Sequence, residues 1–554
     1  MFRKFLWFCL CLIVIADTVN AAQYAYQVNF KNKNGTQPFS DSLTFLTTRS
    51  MARRASQRIS LDSTDLPVVK AYVDSVLHVT GGKIHCTSKW LNLCVILLSD
   101  SSQIHNAEAL AFVGSTKLVA VYSGILHKGP ADESAEPVVL PTASRTTSGS
   151  AYYSQTWNQT LMVNGDYLHD IGFKGTGKLI AVLDAGYAGA DTHPGFDSLR
   201  TSGRIVDGHN FTLASSSIYG YDSHGTEILS TMAGYVPNTY VGSAPLASYA
   251  LYISEDDNSE QPIELLNMLA ASERADSIGA DIISSSLGYN TFDNTAYNFV
   301  YASDLDGKTT IAAKAANMAT QKGMLFVASA GNEGDNSWMH ILTPGDADSA
   351  LTVGNVNLSG VNASASGYGP NAAGQVKPDV CTLGEPGAVF NSTGGYIADN
   401  GTSISTPEIA GWAACLWQAV PGATPAMLKN AIRRCASRYT SPGTQIGYGI
   451  PNFKCTVIDL DVIDTPLPQS TELDVLIPNP VVENINIIIT LHTAQEVYFR
   501  LTDLTGKEVL QFSATLISGK NAPITYNVAN LPGGIYILKA ATATHQQVLK
   551  VVKQ

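Results

Sequence analysis

The chain has 554 residues, several times the roughly 150 of a usual domain, which excludes a single small binding module and predicts two to four domains. Apolar residues make up 45% and charged residues 14%, too much burial material for a disordered chain. The net charge of −12 repels phosphate backbones and argues against a nucleic-acid partner.

The first apolar run, Phe5 to Ala16, follows Arg3 and Lys4 and precedes the small-residue stretch Val19-Asn20-Ala21-Ala22. It falls short of the about 20 residues that span a bilayer, but basic start, apolar core and small residues in that order fit a signal peptide over residues 1–22. Export from the cytoplasm is therefore expected. Six cysteines follow that segment. Cys86 and Cys94 flank a hairpin-like stretch, while Cys381, Cys415, Cys435 and Cys455 are scattered without C-x-x-C spacing. Export permits disulfides, and bridges and buried free thiols both stay open.

Residues 23–139 read as helix (Leu66 to Leu77), two apolar runs (Lys83 to His85, Asn92 to Leu98), helix (Gln103 to Phe112) and strand (Leu118 to Tyr122), the order of a small α+β domain. Gly129 to Ser150 is rich in Pro, Ala, Ser and Thr, the composition of an exposed, cleavable linker. Residues 140–473 hold most of the acidity, 31 Asp and Glu against 15 Lys and Arg. Short apolar strands (Leu179 to Leu183, Tyr249 to Ile253, Ile282 to Ser285, Leu325 to Ala328, Ala350 to Val353) alternate with helical patterns (Thr226 to Met232, Ile263 to Ser277, Thr310 to Lys322, Thr406 to Ala419, Pro425 to Ala436). This α/β pattern predicts a parallel sheet covered by helices on both faces, with its active site at the strands' carboxyl ends. Residues 474–554 show strand-like runs at 484–491, 495–501, 508–516, 524–528, 534–541 and 546–552, separated mostly by Gly, Pro or Asn, and predict a β-sandwich.

Four motifs in the middle segment carry chemistry. Asp184 directly follows an apolar strand, where a shielded carboxylate can orient a neighbour. Asp222-Ser223-His224-Gly225-Thr226 leads into a helix, which fixes His224 by backbone. Asn332, in Ala328-Ser329-Ala330-Gly331-Asn332-Glu333-Gly334, can donate to a developing oxyanion. Ser403, in Asn400-Gly401-Thr402-Ser403-Ile404-Ser405-Thr406-Pro407, lies close to a helix start. Pro407 suits the first turn, and free N–H groups there stabilise negative charge on a bound carbonyl. Each motif alone also fits a turn, a cap or a loop residue. Together they supply the parts of an acyl-transfer site in the order Asp, His, Ser, and G-T-S-I-S lacks the second Gly of a lipase-type elbow.

The stretches IAVLDAG, DSHGT, SSSLG, ASAGNEG and NGTSISTP resemble the five motifs of the subtilases, the subtilisin-like serine peptidases. The resemblance implies a three-layer catalytic domain and an Asp184, His224, Ser403 triad with Asn332 in the oxyanion hole. It also implies a substrate cleft lined by Ser286, Leu287, Gly288, Ala330 and Gly331, which binds peptide as an added strand. Departures from the family pattern are Glu227, Ser405-Thr406 and Glu408, with Tyr289 at a position usually Gly. Glu227 and Glu408 are expected to alter the pH profile if they lie near His224, and Tyr289 to narrow the cleft. The amino segment resembles a subtilase propeptide, which implies an intramolecular inhibitor released by a cut between Tyr122 and Ser150. The tail, through Pro478-Asn479-Pro480, LTDLTGKEV, LPGGIYILK and Lys550 to Lys553, resembles the type IX secretion sorting domain of Bacteroidetes. That implies secretion machinery as a partner, passage through the periplasm, and a released or surface-attached product. The expected protein is thus an exported serine endopeptidase made as a zymogen and acting on protein or peptide substrates. No cofactor is required, and structural Ca²⁺ is compatible with the Asp-rich stretches although no spacing identifies ligands. A catalytically silent adhesion protein and a narrow processing or ligating peptidase are the alternatives.

Overall fold

The computed structural model describes residues 22–36, 45–122, 148–212, 217–460, 473–477, 481, 483–491, 493–521 and 524–553. The signal-peptide stretch up to Ala21, the interior of the expected maturation segment and Pro478-Asn479-Pro480 lie outside them.

The amino-terminal unit contains β1 (Gln23–Phe30), α1 (Thr48–Ser56), α2 (Lys70–Thr80), β2 (Lys83–Ser88), β3 (Leu93–Leu98), α3 (Ile104–Glu108) and β4 (Val113–Tyr122). Its antiparallel sheet runs β2–β3–β1–β4. One face, with Val28, Cys94 and Ile96, packs on Val76 of α2 and Ile104 and Ala107 of α3. The other, with Ala25, Val95 and Val119, joins the core of the middle domain. The α+β class follows the expectation, but β1 and α1 were not foreseen. The sequence of α1, TRSMARRAS, has no apolar stripe to detect; it buries Arg53 and Arg54 by pairing both with Asp276 of the next domain.

The middle domain contains β5 (Leu179–Asp184), β6 (Ile205–Asn210), α4 (His224–Ala233), β7 (Ser248–Ile253), α5 (Ile263–Ile278), β8 (Ile282–Ser285), α6 (Ile311–Gln321), β9 (Leu325–Ser329), β10 (Leu351–Asn357), β11 (Val380–Glu385), α7 (Thr402–Ala419), α8 (Pro425–Arg434) and α9 (Phe453–Asp459). Seven parallel strands follow the order β11–β10–β9–β8–β5–β7–β6. Apolar side chains alternate between two covered faces, which is why the strands read as continuous apolar runs. Ile180 and Val182 pack with Ile228 and Met232 of α4 and Ile404 and Trp412 of α7. Leu179, Ala181 and Leu183 face Leu266 and Leu269 of α5 and Ala312 and Ala316 of α6. The outer strands β6 and β11 escaped sequence reading: β6, IVDGHN, is an edge strand with an exposed side and no apolar run. Strand order reverses at β5, so its carboxyl end is a topological switch point, where open α/β sheets bind ligands.

In the tail, one antiparallel sheet combines Leu473–Leu476, Asn484–Leu491, Gly519–Lys520 and Ile524–Asn527. The other runs Glu508–Leu516, Gln495–Asp503, Gly534–Ala541, Gln546–Lys553. Val475, Ile487, Phe499, Leu538 and Val551 form the core between them, the arrangement of a β-sandwich. Cys435 and Cys455 form a disulfide joining the end of α8 to α9. Cys86, Cys94, Cys381 and Cys415 are free thiols.

Candidate active site

Asp184 ends β5 fully buried. Its Oδ1 accepts from the Ala185 N–H at 2.8 Å and from His224 Nδ1 at 2.7 Å. Because a carboxylate only accepts, the bond places the imidazole proton on Nδ1 and leaves Nε2 free to take one. His224 is the first residue of α4, and its own N–H donates to Asp222 Oδ1 at 2.6 Å. Two glycines let the loops carrying these residues interlock. A Cβ on Gly225 would lie 2.3 Å from the Gly186 carbonyl oxygen, and one on Gly186 would lie 2.4 Å from that of Asp222.

Burial would depress the His224 imidazole, but the charge and hydrogen bond of Asp184 outweigh it, Glu227 and Asp222 add to them, and the pKa is pushed up to about 10. Glu227 therefore acts on His224 as its position suggested. Glu408 is buried, with Oε2 accepting from Thr382 at 3.2 Å, and loss of solvation raises its carboxyl to about 8. A second acidic group, Glu255, Asp257 and Glu260 on the β7–α5 loop and Glu264 in α5, has its carboxyls raised by burial first and by neighbouring charges second. Asp184 and His224 are among the charges felt by Glu255 and Asp257. The charges that act on His224 are thus those of Asp184, Glu227 and Asp222, which stabilise the imidazolium form.

Ser403 is the second residue of α7 and nearly buried. Asn332, in the loop after β9, accepts the Thr402 N–H and hydroxyl on Oδ1, both at 2.9 Å. That orients the amide and leaves Nδ2 as a donor. Beside Gly401, the Ser403 Oγ and the Asn332 Nδ2 face the same small space: a Cβ there would lie 2.8 Å from the first and 3.4 Å from the second. A hydroxyl and an N–H donor therefore converge where a carbonyl could sit.

One local expectation is corrected. Pro407 does not open the helix; α7 starts at Thr402 and holds Pro407 inside it. Proline cannot donate to the Ser403 carbonyl four residues earlier. The Ser286 hydroxyl, just beyond β8, donates to that carbonyl instead, at 2.9 Å. The Ser286 side chain is thus tied to the nucleophile's helix. Tyr289 is buried, and its hydroxyl donates to Glu255 at 3.2 Å. Leu287, Gly288, Ala330 and Gly331 stand with Ser286 and Asn332 on the loops following β8 and β9, at the carboxyl edge of the sheet. The tie between Ser286 and Ser403 had a sequence signal in the helix-interior proline; the acidic group had one in the run Glu255-Asp256-Asp257 with Glu260 and Glu264. Among the described residues no group of three or more His, Cys, Asp or Glu side chains is placed to hold a metal ion.

The chain matches the subtilase family over residues 175–450, the peptidase S8 propeptide domain of Bacteroidota over 25–132 and a secretion system C-terminal sorting domain over 475–554. It is 29% identical over 285 residues to a thermostable alkaline protease of Halalkalibacterium halodurans, covering 50% of this chain and 68% of that one. It is 31% identical over 294 residues to subtilisin E of Bacillus subtilis, covering 52% and 67%. To the subtilisin of Bacillus pumilus it is 30% identical over 294 residues, covering 52% and 93%. The sorting domain directs the protein to the cell surface or beyond it. The chain belongs to the subtilase family: it is a serine endopeptidase carrying its own propeptide domain and a tail for secretion.

Proposed function

We propose that Asp184, His224 and Ser403 are the catalytic residues and that peptide bonds are cleaved through an acyl-enzyme. The Ser403 hydroxyl attacks the scissile carbonyl carbon and passes its proton to His224 Nε2. Asp184 holds the resulting imidazolium, and Asn332 Nδ2, with N–H groups at the start of α7, carries the charge on the carbonyl oxygen. His224 returns the proton to the departing amine; water then enters by the same base and releases the acid and free Ser403. Leu287, Gly288, Ala330 and Gly331 line the cleft and bind the substrate as an added strand, while Ser286 acts by positioning. Side chains and backbone supply every step, and no cofactor is drawn upon.

The domains divide as signal peptide 1–22, propeptide 23–139, peptidase 140–473 and sorting domain 474–554. The propeptide blocks the cleft until it is cut away, and the sorting domain engages the secretion machinery. The observation that carries this reading is the 2.7 Å bond from His224 to a buried Asp184. Beside it stands the convergence of Ser403 Oγ and Asn332 Nδ2 at Gly401. Labelling the mature enzyme with a fluorophosphonate tests it. One adduct on Ser403, absent from Ser403→Ala, is expected; an unlabelled native protein would leave an adhesion scaffold. Casein left uncut by a labelled enzyme would indicate a narrow processing or ligating peptidase.

A further inference from the structure

The substrate-facing segments beyond β8 and β9 bracket Ser403. Ser286 is bonded to the Ser403 carbonyl on one side, and Asn332 shares the Ser403 Oγ space on the other. When a carbonyl occupies that space with its oxygen toward Asn332, the preceding Cα lies one bond away. In the cleft proposed above, its side chain would enter the gap between segments 286–288 and 330–331. Both segments present a glycine to this gap, Gly288 and Gly331, as a slot for a side chain would require.

The gap is occupied. A Cβ on Gly288 would lie 2.8 Å from Leu342 Cδ1 and 2.9 Å from its Cβ, and a Cβ on Gly331 would lie 2.4 Å from Leu342 Cγ and 2.7 Å from Cδ1. One leucine side chain thus touches both glycines at once, and the residue is 6% exposed. Its backbone is held on both flanks. The Leu342 N–H donates to the Ala330 carbonyl at 3.0 Å, the Ile341 N–H to that of Tyr368 at 2.9 Å, and the Tyr289 N–H to that of Thr343 at 2.9 Å. These bonds fix the leucine between the two segments, so the slot is shallower by about one leucine side chain.

We infer that Leu342 closes the recess for the residue preceding the scissile bond and restricts this peptidase to substrates with glycine or alanine there. The inference rests on the proposed role of Ser403, and it names the substrate class that this site accepts. Apolar recesses discriminate by volume at roughly 10- to 200-fold per methylene, so a ring as large as phenylalanine is excluded by at least tenfold.

The test uses processed wild-type enzyme with Leu342→Ala and Leu342→Gly, on peptides identical except for Gly, Ala, Leu or Phe before the cleaved bond. For wild type, kcat/KM on the alanine peptide should exceed that on the phenylalanine peptide at least tenfold. Both substitutions should raise the phenylalanine-to-alanine ratio, Leu342→Gly by tenfold or more. Fluorophosphonate labelling in parallel reports on Ser403 without filling the recess with a side chain. Failure of wild type to label would overturn the nucleophile assignment and the inference with it. Labelled wild type that cleaves the phenylalanine peptide as fast as the alanine one would overturn the inference alone, even if neither variant folds. A ratio unmoved in a variant that labels normally would do the same.

Discussion

The acid at Asp276 supports a quantitative prediction about inhibition by the propeptide. It lies in the last turn of α5, where the negative end of the helix dipole disfavours a carboxylate. Three propeptide cations offset this: Arg53 at 2.5 Å, Arg54 at 2.7 Å and Lys89 at 3.4 Å. Asp276 is fully buried and its cationic partners nearly so, 4%, 1% and 10% exposed at the side chain. Burial alone would raise the Asp276 carboxyl, but Lys89, Arg53 and Arg54 outweigh it and hold the pKa below its usual value. Removing one partner from a buried ion pair costs about 3–5 kcal/mol, because the remaining charges stay desolvated. In Asp276→Asn, Arg53 and Lys89 lose this partner in the docked state while Arg54 keeps Asp65 at 2.9 Å within the propeptide, and the loss should fall on docking. At about 1.4 kcal/mol per tenfold, the inhibition constant of added propeptide should rise by roughly 10²- to 4 × 10³-fold. The assay titrates mature enzyme with propeptide and follows hydrolysis of a small peptide substrate, whose kcat reports that the variant is folded. A rise of less than threefold with kcat intact would refute the assignment of docking energy to this cluster.

Other outcomes follow from the site. Asp184→Asn removes the main charge that raises His224, so the acid limb of kcat/KM should move to lower pH while the maximal rate falls by several orders of magnitude; a pH–rate profile reads both. The raised His224 pKa also stabilises the fold below the unfolded value of about 6.5, a contribution lost as pH rises toward about 10. Between those values the melting temperature of Ser403→Ala should therefore fall more steeply than that of Asp184→Asn with Ser403→Ala. Asn332→Leu deletes the side-chain donor for the oxyanion and should lower kcat by about 10²- to 10³-fold with KM little changed in steady-state assays. Replacing Cys435 and Cys455 by serine opens a loop of 20-residue separation and should cost up to about 3 kcal/mol, read as a lower midpoint in urea under non-reducing conditions.

What the sequence conveyed depended on where each residue's partner lay. Strands such as Leu179-Ile180-Ala181-Val182-Leu183 were legible because both faces are covered by helices, so burial is written into every position. The stretch IVDGHN was not, because an edge strand needs no apolar run. Asp184, His224, Asn332 and Ser403 stood out by local motif, and the structure brings them to one edge of the sheet. The helix Thr48–Ser56 was hidden because its stabilising partner, Asp276, lies more than 200 residues away. Leu342 sits in an unremarked apolar stretch, Ile341-Leu342-Thr343-Pro344, and only its contact with two distant glycines marks it. Bridge and free thiol could not be told apart for Cys435 and Cys455 until the approach of α9 to α8 put their Cα atoms 5.6 Å apart.

The helix α5 carries buried acids toward both of its ends. The first turn of α5 and the loop before it place Glu255, Glu260 and Glu264 in the acidic surroundings of the site. The last two turns carry Glu273, which accepts the N–H groups of Lys89 and Trp90 at 2.9 and 3.0 Å, and Asp276. Arg49 Nε donates to the Gly279 carbonyl just beyond it at 2.9 Å, and Arg53 donates to that of Ala280. The propeptide thus supplies at the C-terminal end of α5 the cations and donors that a helix terminus requires. Loss of the propeptide leaves two buried acids and these carbonyls to water alone. It therefore removes stabilisation from the C-terminal end of that helix. The acids at this end of α5 thus add a buried, charged anchor to the apolar contact that Ala25, Val95 and Val119 make with the core of the middle domain.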